Sequence, residues 1–214
     1  MRTIFIYIAV LFFSFSFSQK KELRQIKRLI DEKFFQEAES TLKSNKDFLL
    51  SGDSKTDAQY YYYATKIYTE IKSFKLAKNS LEELMSINTS YYNAEMKLDY
   101  KNLEEILVVA LVNAAVADNS SKKWMEGVDK LLLAYEMDKD NNIDYLYFAA
   151  SGAVNAENFD LALEYYLQLK EKNYTGIKDE YFITNVESGV EEKVTETEYK
   201  ICLLYTSPSP RDTS

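Results

Sequence analysis

Asn142–Tyr174, NIDYLYFAASGAVNAENFDLALEYYLQLKEKNY, decides the architecture. Leu146, Ala149, Ala150 and Ala153 recur at three- and four-residue steps, as do Phe159, Ala162, Tyr166 and Leu169. That spacing predicts two amphipathic helices, joined by a short polar turn around Asn155–Asn158. Small residues fall where the two helices must touch. Alanine at a crossing lets helix axes approach to about 8–10 Å, and the flanking large residues fill the grooves.

The rest of the chain repeats this pattern in worn form. Helices are predicted over Lys20–Lys33, Gln36–Lys46, Asp57–Lys72, Phe74–Met85, Asn102–Asp118 and Lys123–Met137, with a polar break at Ser51–Ser54. Tyr60–Tyr63 are four consecutive tyrosines that cover every side of a helix, which predicts an element buried on most sides. Asn88–Tyr100 has no clean period and reads as an inserted connector with some helix. Aligning the small residue of each second helix gives Ala38, Ala77, Gly127 and Ala162, at intervals of 39, 50 and 35 residues. Past Tyr174 the character changes. Tyr181–Val194 places β-prone residues on either side of Glu187-Ser188-Gly189, which predicts a small β-hairpin or the start of a truncated following segment over 177–201.

The 214 residues include 18 Tyr and 12 Phe, but only five Gly and two Pro. Aromatic side chains must therefore supply much of the core, and there is too little turn material for an all-β fold. The fold class expected is all-α, a solenoid of about four helix-turn-helix hairpins over 19–176. A formal charge of −8 repels phosphate backbones and argues against nucleic acid or anionic membrane as the main partner.

Helix–turn–helix units with a period near ~34 residues resemble the tetratricopeptide repeat. The resemblance rests on Leu146, Ala149, Ala150, Phe159, Ala162, Tyr166 and Leu169 in the last hairpin, where Ala153 departs from the family's aromatic. It rests also on Tyr61, Ala64, Thr65, Tyr68, Phe74, Ala77, Leu81 and Leu84 in the second, and on Leu111, Ala114, Ala115, Trp124, Gly127 and Leu131 in the third. The first hairpin matches only through Phe35, Ala38 and Leu42, and the family's closing proline is absent throughout. The span is also similar to exported repeat proteins of the bacterial envelope. What the resemblance implies is an interaction scaffold whose helix-A faces receive a peptide or protein partner. Carried onto this chain, those faces hold Tyr62 and Lys66 in the second hairpin, and Tyr147, Ser151 and Asn155 in the last.

The two ends are set apart. Arg2, the apolar run Ile4–Phe13 and Ser16-Phe17-Ser18 form the pattern of a signal peptide over 1–18, with cleavage before Gln19. The mature chain is then expected in the periplasm or outside the cell, with no stable membrane insertion. Cys202–Asp212 resembles the translated end of a sequencing-library adaptor. On that reading 202–214 is a non-native, disordered tail and the natural frame stops being visible near Ile201.

No histidine is present, and the one cysteine lies at 202, so histidine acid–base catalysis, thiolate chemistry and His/Cys zinc ligation are not expected before it. No catalytic residue, metal site or cofactor is expected. Asp138–Asn142 resembles the start of a calcium loop, but Ile143 stands where glycine is needed; a helix-to-helix turn with a capping Asn142 is the better reading. The function expected is a non-enzymatic scaffold. The alternative is an accessory helical domain of a larger envelope enzyme or glycan-binding protein.

Overall fold

The computed structural model describes residues 18–177, 179–185 and 189–206. The expected signal peptide therefore lies, but for Ser18, outside the described residues, as do 207–214. Contacts divide the chain into two units, Met1–Tyr174 and Thr175–Ser214.

In the first unit α1 spans 18–31. It is followed by α2 (Phe35–Ser44), α3 (Lys46–Leu49), α4 (Ser54–Glu70), α5 (Phe74–Ser86), a 3-10 turn (Thr89–Tyr91), α6 (Ala94–Ser120), α7 (Trp124–Met137), α8 (Ile143–Asn155) and α9 (Phe159–Glu171). The architecture is all-α and repeat-like. Hairpin partners pack on each other (α4 on α5, α6 on α7, α8 on α9), and successive hairpins pack through α4–α6, α5–α7 and α7–α8.

One turn recurs in all four hairpins. Lys33, Lys72, Lys122 and Glu157 adopt φ of 62°, 60°, 60° and 58°. Each lies five residues before the small residue of its second helix: Ala38, Ala77, Gly127 and Ala162. The following residue donates its N–H back to the first helix, as in Phe34→Leu29, Ser73→Tyr68, Lys123→Asp118 and Asn158→Ala153. This is the Schellman closure, which satisfies carbonyls orphaned at the helix end. An aromatic residue then opens the second helix each time: Phe35, Phe74, Trp124 and Phe159. The unequal intervals are thus absorbed between hairpins, and the turn within each is constant.

Where the helices cross, small residues are needed sterically. A Cβ added to Gly152 would lie 2.8 Å from Val128 Cγ2, and one added to Gly127 would lie 2.2 Å from Asn119 Oδ1. Ala38, Ala77, Ala134, Ala149, Ala150 and Ala153 are fully buried. Tyr60, Tyr62 and Tyr63 are buried in the core as the tyrosine run predicts.

Three sequence expectations need correction. The helix expected to begin at Asn102 begins at Ala94: the connector Asn88–Tyr100, expected to hold some helix, is a 3-10 turn followed by the first turns of α6, which runs unbroken for 27 residues. Asn93 caps it by accepting from Met96 N–H at 2.9 Å, and the extension packs because Met96 and Leu103 are buried. Asn142 stands at the N-cap of α8, but its side chain makes no capping bond; its Nδ2 donates to Ala134 O at 2.9 Å in α7 instead. In the last hairpin Tyr165, not Tyr166, enters the core, and Phe159 is 63% exposed where its equivalent Phe74 is 5% exposed. Phe74 is followed by another hairpin in its unit and Phe159 is not.

In the second unit, β1 (Tyr181–Thr184) pairs antiparallel with β2 (Glu191–Val194), with Tyr181 opposite Val194, and α10 spans Glu196–Thr206. The expected hairpin is present. The expected boundary after Ile201 falls inside α10, which continues through Cys202. Among the described residues no helix is long and apolar enough to cross a membrane.

Candidate functional site

The helix-A face is built by α4, α6 and α8. On α4, Tyr62 and Lys66 are one turn apart and both meet the extension of α6. Tyr62 is 1% exposed, and its hydroxyl donates to Asp99 Oδ2 at 2.7 Å. Lys66 Nζ donates to the same oxygen at 3.1 Å and lies 5.0 Å from the Tyr62 ring centroid. Burial alone would raise the Asp99 carboxyl, but the hydrogen bonds from Tyr62 and Lys66, with the lysine charge, hold it below its ordinary value. Burial and the bond to Asp99 in turn push the Tyr62 phenol far up. Lys27 on α1 makes a parallel bridge to Glu95, 3.1 Å away. The α6 extension thus lies across α1 and α4, and Tyr62 serves the core there rather than a contact surface. Lys66 stays half-buried at the wall of a cleft of about 170 Å³, with Asp99, Leu103 and Ile106. A second cleft of about 260 Å³ shares Thr69, Glu70 and Ile106 with it and reaches Asn113 and Ala117.

On α8 the arrangement is open. Tyr147 is 41% exposed, with its ring centroid 5.7 Å from Phe148, 6.3 Å from Tyr166 and 6.0 Å from Tyr174. Phe148 and Tyr166 are exposed too. Ser151 Oγ lies 3.1 Å from Tyr147 O and 3.3 Å from Tyr166 Oη. Tyr174 Oη donates to Asp144 Oδ1 at 2.6 Å; this bond to a carboxylate, with burial, pushes the phenol up to about 12. Tyr174 is placed by the same turn that closes the hairpins: Asn173 has φ 54°, and Tyr174 N–H reaches back to Leu169 O. Asn155 lies exposed at the end of α8.

The structure therefore joins Tyr147 and Ser151 into one cluster and places Tyr62 and Lys66 in another. Sequence reasoning missed Tyr166, Tyr174 and Phe148 as members of the Tyr147 cluster. The available signal was the aromatic surplus of this hairpin over what its helical stripes bury. At Asp138–Asn142, Asp138 accepts from Asn141 N–H and Asn141 Nδ2 at 3.1 and 2.7 Å, so its oxygens close the turn.

Comparison with known protein families, characterised proteins and solved structures returned no match.

Proposed function

We propose that the chain is an exported, non-enzymatic scaffold of the tetratricopeptide kind, which binds a peptide or protein partner through its helix-A face with the Tyr147 cluster as the anchor. The observation that carries this reading is the contrast between the two ends of that face. Tyr62 and Lys66 are satisfied within the chain by Asp99, while Tyr147, Phe148 and Tyr166 stay exposed around a hydroxyl pair, Ser151 and Tyr166. Tyrosine gives large contact area and a hydrogen-bonding tip at low entropy cost, and it is enriched where binding energy concentrates. The cluster is pre-formed by ring contacts and by the Tyr174–Asp144 bond, which lowers the ordering cost on binding.

Panning a random peptide display library on the chain tests this reading. Enriched peptides should lose binding at least tenfold to Tyr147→Ala and Ser151→Arg and keep it on Lys21→Ala. Peptides that bind all three proteins equally would contradict it.

A further inference from the structure

A further cleft lies away from the Tyr147 cluster, between the start of α1 and the start of α4. The chain is acidic overall, yet α1 opens with Lys20, Lys21, Arg24, Lys27 and Arg28. Helical spacing puts Lys20, Arg24 and Lys27 on one side of α1, and they line a cleft of about 300 Å³ with Lys55, Gln59 and Tyr63 of α4. Lys27 is already paired, with Asp31 and Glu95. Lys20, Arg24 and Lys55 form no ion pair among the described residues, and all three are exposed. Among the described residues Asp53 is the one carboxylate in the lining. Its Oδ1 is taken up by the N–H groups of Lys55 and Thr56, at 3.0 and 2.9 Å, and its charge is offset by the helix end it caps.

Tyr63 makes the cleft more than a patch of lysines. The residue is only 5% exposed, lines the cleft, and its hydroxyl has no hydrogen-bond partner among the described residues. The hydroxyl is not sealed from water, whereas the Tyr62 and Tyr92 hydroxyls are spent on acceptors, Asp99 and Leu84 O. The Tyr63 hydroxyl thus has a proton to donate into a cleft where Lys20, Arg24 and Lys55 are unpaired and the Gln59 amide is at hand, while the nearby carboxylates Glu95 and Asp31 are tied to Lys27.

We propose that this cleft binds a tetrahedral oxyanion of the phosphate class, held by Lys20, Arg24 and Lys55, with Tyr63 donating from the floor. A carboxylate has two oxygens to offer; three cationic groups, a phenol and the Gln59 amide match the three or four oxygens of a phosphate or phosphate monoester better. The anion can be free in solution or the headgroup of a lipid, and the same residues serve both.

Titration calorimetry of the full chain with inorganic phosphate, in a phosphate-free buffer, tests the soluble source. Co-sedimentation with phosphatidylcholine vesicles, with and without phosphatidate, tests the headgroup source. Saturable binding in either arm, weakened at least tenfold by Arg24→Ala and Lys55→Ala, and several-fold by Tyr63→Phe, supports the proposal and names the source. Lys21→Ala, outside the lining, should change binding less than twofold. Arg24 and Lys55 are exposed, so their variants keep the fold, and circular dichroism checks this. Binding in neither arm, or binding insensitive to both Arg24→Ala and Lys55→Ala, overturns the proposal.

Discussion

The Tyr62 hydroxyl donates to Asp99 over 2.7 Å and so ties α4 to a residue 37 positions further along the chain. With Lys66 on the same oxygen, this contact anchors the first turns of α6 across the face that α4 would otherwise present. Tyr62→Phe removes the donor and keeps the ring. It should destabilise the first unit by about 1–3 kcal/mol, the usual range for a bond to a charged group. Asp99→Asn should cost a similar amount, and the double variant less than the sum, because the two changes remove one shared interaction. Urea unfolding of the four proteins measures it.

The same contact has a pH signature. The folded Asp99 carboxyl is held below its ordinary value of 3.8. Its contribution is therefore fully present above that value and is lost as pH falls through the lower folded value. The stability difference between wild type and Asp99→Asn should be constant from pH 5 to 7, on the order of 1–3 kcal/mol, and should shrink in acid below about pH 4. A difference that grows on acidification would refute this assignment.

Gly152 tests the helix crossing between α7 and α8. Alanine there gains about 0.5–1 kcal/mol of helix propensity, but its Cβ meets Val128 Cγ2, and a β-branched neighbour yields poorly. Gly152→Ala should lower stability by about 1 kcal/mol, the crowding outweighing the gain. In a Val128→Ala background the same change should raise stability, because the obstructing methyl is gone. The reversal of sign in thermal melts is the readout.

Glu157 takes the left-handed turn position at φ 58° without being glycine. That conformation costs an L-residue about 1–2 kcal/mol, and glycine loses about 0.5–1 kcal/mol of that advantage to unfolded-state entropy. Glu157→Gly should therefore stabilise the last hairpin by about 0.5–1 kcal/mol. A melting temperature that falls would show that the turn is held by Glu157 in some other way.

The repeat was legible because its determinants are local. Ala38, Ala77, Gly127 and Ala162 mark the crossings, and the aromatic at the head of each second helix lies three residues earlier. The α6 extension was hidden for the opposite reason. Met96 and Leu103 face the core while Leu98 faces solvent, and the partners of Glu95 and Asp99 are Lys27 and Lys66, far back in the chain. Charges of these types are everywhere in the sequence, so nothing local marks which of them pair. That is also why Tyr62 could be placed on the right face but not in the right environment. Gly152 was missed because its clash is with α7, a contact that one hairpin taken alone does not contain.

The claim that the Tyr147 end of the helix-A face receives a partner, while the Tyr62 end is occupied from within, is tested most directly by site-specific photocrosslinking. A photoreactive phenylalanine analogue is placed at 147, at 166 and at 62, the chain is exposed to a fractionated extract of its source cells, and adducts are identified by mass spectrometry. The account predicts one shared intermolecular adduct from 147 and 166, and from 62 only intramolecular links to α6. An intermolecular adduct from 62 with none from 147 or 166 would contradict it.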